Sequence, residues 1–120
     1  MTTSDEEAER SFAALFVNEH VRLFNAAVDN GVWDPFVDRF ADDAVLEFVG
    51  PPVGPFVGRA AIYEAYLRSP PNDTIVLNGP PVTDEVELVV PYRWMADGAT
   101  GTMRFTPRGG HIARLVVTFD

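Results

Sequence analysis

Apolar residues recur at helical spacing from about Asp5 to Asn30. Phe12, Phe16, Leu23 and Ala27 form one stripe, into which His20 also falls, and Val17, Val21, Phe24 and Val28 form its neighbour. Together they make a wide arc, which predicts a long helix covered over much of its surface. Ser4 followed by Glu7 has the spacing of a capping box at its start, and Gly31 is a natural stop at its end. Asp34-Pro35 reads as the cap and first residue of a short second helix carrying Phe36, Val37 and Phe40, which Asp42-Asp43 ends. Ala44 to Val49 alternates as a strand, with Leu46 and Phe48 on one face and Val45 and Glu47 on the other. The stretch from Gly50 to Gly58 holds three prolines and three glycines and predicts a loop or irregular edge structure. Arg59 to Arg68 predicts a third helix, stopped by Ser69-Pro70-Pro71.

The rest of the chain has the two-residue period of strands: Thr74 to Val82, frayed by Gly79-Pro80-Pro81, then Val86 to Ala96, Thr100 to Thr106 and Ile112 to Phe119. Asp97-Gly98 and Arg108-Gly109-Gly110 supply the turns between them. Helices first and a meander last predict an α+β fold with an antiparallel sheet. Two strands are apolar on both faces. Leu88, Val90, Tyr92 and Trp94 alternate with Val89, Pro91 and Met95, and Leu115, Val117 and Phe119 alternate with Val116. Three helices cover one face of a sheet, so the outer face is expected to meet a second copy in a homodimer.

Composition narrows the chemistry. At 120 residues the chain is one domain, residues 1–120. Cysteine is absent, which removes disulfides, zinc–thiolate sites and thiol catalysis. All nine basic residues are arginine, so no lysine can form a Schiff base. The lysine-free, Ala/Val/Arg-rich usage is that of a GC-rich bacterial genome. A formal net charge of −9 repels phosphate backbones and anionic lipid, so neither nucleic acid nor membrane is an expected partner. No apolar run reaches the ~20 residues that span a bilayer, and the first ten residues are polar and acidic, unlike a secretory signal. A cytoplasmic location is expected.

Several segments resemble the nuclear transport factor 2-like superfamily, which includes the ketosteroid-isomerase-like and SnoaL-like proteins. Trp33-Asp34-Pro35 through Phe40-Ala41-Asp42-Asp43-Ala44-Val45-Leu46-Glu47-Phe48 is similar to that family's short helix, FADDA turn and first strand. Phe56-Val57-Gly58-Arg59-Ala60-Ala61-Ile62-Tyr63-Glu64-Ala65-Tyr66 is similar to its entry into the third helix. The resemblance covers residues 9–120. It implies a cone-shaped roll, in which a curved antiparallel sheet and three helices enclose a pocket for a small, mostly apolar ligand. Strand alternation within that fold places Phe24, Phe40, Leu46, Phe48, Ile62, Tyr66, Tyr92, Trp94, Met103, Phe105, Val117 and Phe119 on the lining, with Val28, Val90 and Leu115 beside them. The competing reading is that these side chains fill a solid core.

Ketosteroid isomerases shuttle a proton with a carboxylate and hold the enolate with a tyrosine and a protonated acid. Carried over residue by residue, the base falls on Phe48, the first-helix tyrosine on Phe24 and the acid on Gly101. Tyr66 alone matches, as the supporting tyrosine of the third helix. Isomerase chemistry is therefore not expected. The alternative is an enzyme of cyclase, hydratase or isomerase type using His20 as base with Tyr66 or Tyr92, since histidine titrates near neutrality. Against it stands the commoner arrangement, a histidine at the helix–sheet rim with a satisfied hydrogen bond. Asp34 is explained as a cap, Glu47 lies on the wrong face, and Asp120 and His111 are expected at the surface. Arg93 and Arg104 point outward, towards surface acids. Two distant histidines lack metal-ligand spacing, so neither metal nor cofactor is expected.

Overall fold

In the computed structural model, which describes residues 4–120, a single helix, α1 (Ser4–Asn30), takes up the first quarter of the chain. The Ser4 side chain, with the capping box expected of it, lies outside the described residues. Ala13, Phe16, Val17, His20, Phe24 and Ala27 are its buried positions, three or four residues apart as one helical face requires. Gly31 ends it in the left-handed region (φ +75°), and its N–H donates to the Ala27 carbonyl at 2.8 Å.

The second helix, α2 (Asp34–Val37), is a single turn. Phe40 is not its last residue but the first of strand β1 (Phe40–Val49). Asp42-Asp43 therefore does not end a helix. Six residues of β1, Phe40 to Val45, lie opposite three of the neighbouring strand, Ile112 to Arg114. The surplus bulges outward and exposes both aspartates, while Phe40, Ala44 and Leu46 stay inside. Arg59 and Arg108 pair with Asp42 and Asp43 respectively. Asp34 does not cap α2 either. The capping position is Trp33, without a side-chain bond, and Asp34 Oδ1 instead accepts the Tyr63 hydroxyl at 3.0 Å.

Strand β2 (Phe56–Val57) leads into α3 (Arg59–Arg68), and then come β3 (Ile75–Leu77), β4 (Val82–Asp84), β5 (Glu87–Trp94), β6 (Thr100–Arg108) and β7 (His111–Phe119). The strand expected over 74–82 is two short pieces. Both pair with β5, and Pro80 and Pro81, which have no N–H to donate, fall in the gap between them. The sheet order is β2-β1-β7-β6-β5-β3, with β4 also on β5. The sheet is mixed rather than antiparallel, because β1 and β7 run parallel, Leu46 opposite Leu115 and Phe48 opposite Val117. The first long strand and the last thus lie side by side, one strand in from the β2 edge, and the helices lie over the concave face.

One end of that face is solid. Phe36 sits at its hub, its ring within 5.7 Å of the rings of His20, Phe24, Trp33, Phe40 and Tyr66. Asn25 joins α1 to the sheet edge. Its Nδ2 donates to the Ile75 carbonyl, and its Oδ1 accepts the Ile75 N–H, both at 2.9 Å, as a neighbouring strand would. Among the described residues no helix is long and apolar enough to cross a membrane.

Candidate functional site

The other end of the concave face is hollow. A cavity of about 630 Å³ lies between α1, α3 and the sheet. That is within the range of small-molecule sites. His20 and Phe24 reach it from α1, Leu46 and Phe48 from β1, and Tyr66 from α3. Tyr92 and Trp94 come from β5, Met103 from β6, and Leu115, Val117 and Phe119 from β7. The mouth is closed in by the segment from Ser69 to Asp73, by Asp97 and Ala99 of the β5–β6 hairpin, and by Val53 and Phe56. Trp94 stacks on Phe119 (6.2 Å between centroids, 26° between planes), which gives this wall a continuous aromatic surface.

Phe40, Ile62 and Phe105, expected on the lining, are not part of it; nor are Val28 and Val90. The first three are fully buried in the solid end, where Phe105 meets Phe16 and His20. Alternation selects the inner face of a strand but not the depth along it, and this face is longer than the cavity. Loop residues were the converse miss. Val53, Phe56 and the stretch after Ser69 line the mouth, and the only sequence sign was a scatter of apolar side chains among prolines.

The polar atoms facing the cavity are mostly neutral. His20 is 2% exposed, and burial, with the Arg39 charge adding to it, pushes its pKa from 6.5 down to about 3. Its Nδ1 has no hydrogen-bond partner. His20 is thus buried rather than at a rim, with Nδ1 unsatisfied, and among the described residues no hydrogen bond joins it to Tyr66 or Tyr92. Burial holds the Tyr66 hydroxyl well above its usual pKa, and its ring stacks on Trp33 at 4.7 Å. Tyr92 is raised mainly by burial, and its hydroxyl donates to the Thr118 carbonyl at 3.3 Å.

Gly101 explains that last bond. It sits opposite Tyr92 across β5–β6, and a Cβ there would run into the Thr118 carbonyl oxygen and the Tyr92 hydroxyl. The glycine leaves room for the tyrosine to lie flat over it, and no acid side chain fits at this position on this backbone. The two carboxylates at the mouth are committed. Asp73 accepts the N–H groups of Thr74 and Ala96, at 2.8 and 3.0 Å, and Asp97 accepts that of Ala99 at 2.9 Å. Asp120 accepts the Thr100 hydroxyl at 2.7 Å, Glu47 pairs with Arg114 on the outer face, and His111 is exposed. Arg104, also on the outer face, pairs with Asp84 and Glu87. Among the described residues no group of three or more His, Asp or Glu side chains converges on a metal position.

No protein-family model matches the chain, and no curated protein matches its sequence. Solved structures do match its fold. A candidate polyketide cyclase from Sinorhizobium meliloti aligns with a TM-score of 0.60 at 23% identity, over 82% of this chain and 93% of that one. A nuclear transport factor 2-like protein of unknown function from Burkholderia xenovorans aligns with a TM-score of 0.65 at 15% identity, over 88% of this chain and 83% of that one. A de novo designed protein with a curved β-sheet aligns equally well (0.65), at 17% identity over 90% and 84%. The fold is that of the nuclear transport factor 2-like superfamily.

Proposed function

We propose that this chain is a ketosteroid-isomerase-like pocket protein that binds a small, mostly apolar, uncharged molecule without isomerase chemistry. The observation that carries the reading is the cavity of about 630 Å³, walled by aromatic and aliphatic side chains, with Phe48 on the strand position where the resemblance puts a carboxylate. A proton-transfer enzyme using His20 is the weaker reading. A general base works best with a pKa near the operating pH, and an imidazole held at about 3 accepts a proton poorly. The test is titration with Nile red, a neutral apolar dye. Saturable binding is expected in wild-type protein, with at least tenfold weaker binding when Val117→Trp fills the cavity from β7. Equal binding by the two proteins would refute the reading.

The functional unit we propose is a homodimer through the outer sheet face. Val45, Val89, Pro91 and Val116 lie there, only half-buried in the single chain. Around them Arg114 pairs with Glu47, and Arg104 with Glu87 at 3.3 Å. A self-complementary patch of this kind, apolar with both signs of charge, suits a second copy related by a two-fold axis.

A further inference from the structure

We propose that His20 serves the cavity as a neutral hydrogen-bond donor through Nε2–H, with Arg39 setting its tautomer, and that the bound molecule presents an uncharged acceptor oxygen to it. This rests on the pocket reading above.

His20 is the one polar side chain of the described residues buried as deeply as the apolar core. Its ring is held between Phe36 (5.1 Å) and Phe105 (4.8 Å), and it forms part of the cavity wall. Nδ1 is buried without a partner, and so is Nε of Arg39. The two side chains share a neighbourhood. The Arg39 guanidinium lies 4.5 Å from the centre of the Phe16 ring, one helical turn before His20, and its Nη2 donates to the Phe16 carbonyl at 2.9 Å. Its positive charge disfavours a proton on the imidazole.

A neutral imidazole must place its one proton on one of the two nitrogens. On Nδ1 it would bury an N–H with no acceptor, in the field of a cation. On Nε2 it leaves a lone pair at the buried atom, which the cation favours, and buried orphan acceptors are better tolerated than orphan N–H groups. The Nε2 tautomer therefore follows, with the proton on the ring nitrogen that is not the buried orphan, in a side chain that forms part of the cavity wall. A neutral imidazole donor, kept unprotonated by its surroundings, is an established electrophilic device in enzymes. Of the other inner hydroxyls, that of Tyr92 is already used on Thr118, while Tyr66 also stands on the lining. Among the described residues the lining holds one cation, Arg68, which is exposed and paired with Glu64, so an anionic ligand would lack a charge partner. An uncharged oxygen in an apolar frame fits the remaining requirements.

The test uses the full chain labelled with ¹⁵N-histidine and two planar probes of matched shape, 9-fluorenone, which carries an acceptor oxygen, and fluorene, which does not. At neutral pH the Nε2 resonance is expected to be that of a protonated nitrogen and the Nδ1 resonance that of an unprotonated one. Fluorenone is expected to bind about tenfold more tightly than fluorene, the upper end of what one hydrogen bond contributes, and to shift the Nε2–H signal. His20→Gln, which keeps a donor near the Nε2 position, should retain the preference, and His20→Phe should abolish it. If His20→Phe does not fold, the wild-type resonance shift decides alone. A proton on Nδ1, or equal affinity for both probes with pocket resonances moving, overturns the inference and leaves the pocket reading standing. Binding of neither probe overturns both.

Discussion

His20 concentrates the tension between what this protein buries and what it could do. Between its folded pKa of about 3 and its ordinary value of 6.5, the unfolded chain holds a proton at this residue that the folded chain does not. Stability therefore rises with pH across that interval and is lost on acidification, with a slope approaching ~1.4 kcal/mol per pH unit. Urea unfolding followed from about pH 7 to about pH 4 should show the wild-type free energy falling more steeply than that of His20→Gln. Parallel curves would mean that the imidazole is not held neutral. Asp43, whose pKa is lowered from 3.8 mainly by its hydrogen bond to Arg108, contributes at the acid end of this window, equally in wild type and His20→Gln, and so drops out of the comparison. Asn25 is the second decisive residue. Asn25→Ala leaves the Ile75 N–H and carbonyl without the side chain that pairs them. A loss of ~1–3 kcal/mol is expected, with faster amide exchange at Ile75 as the local signature. Phe24, Phe48 and Tyr66 could be placed on the lining from periodicity taken together with the family resemblance. Asn25 could not, because its partner lies 50 residues further on.

Among the elements, α3 and the Asp97-Gly98 hairpin were legible because their signals are local: a helical run stopped by prolines, and a turn that needs a glycine at φ +74°. The single turn of α2 and the bulge in β1 were not. Asp42-Asp43 reads as a helix stop, yet pairing with β7 pulls Phe40 into the sheet and turns both acids outward. The parallel pairing itself has no local sign, since it joins residues about seventy positions apart. The β5–β6–β7 wall offers a direct check. Gly101→Ala forces a Cβ against the Thr118 carbonyl and the Tyr92 hydroxyl. Overpacking of this sort costs ~1–3 kcal/mol, and a drop of that size in urea unfolding is expected. An unchanged midpoint would show that Thr118 and Tyr92 do not crowd this position.

At the scale of the whole molecule, the cavity and the outer sheet face set separate expectations. With Phe48 and Gly101 at the positions the resemblance gives to base and acid, the proposed reading expects no turnover of a β,γ-unsaturated ketosteroid, followed by the absorbance of the conjugated product. Turnover well above the buffer rate would contradict the placing of Phe48 and Gly101. Val116→Arg sets a charge in the middle of the outer face. Light scattering at micromolar concentration should then report a dimer for the wild type and a monomer for the variant, with binding of apolar probes retained. A wild-type monomer would sink the dimer.

The sequence by itself determined the fold class, the order of the elements and which side of each strand faces inward. These depend on the spacing of apolar residues and on glycine and proline punctuation, which act over a few positions at a time. Only the tertiary structure decided where that inner face is solid and where it is hollow, that the first and last long strands pair in parallel, and that His20 is neutral with an orphan nitrogen near Arg39. Each of these depends on groups brought together from distant parts of the chain, and on desolvation, which exists only once the core has closed.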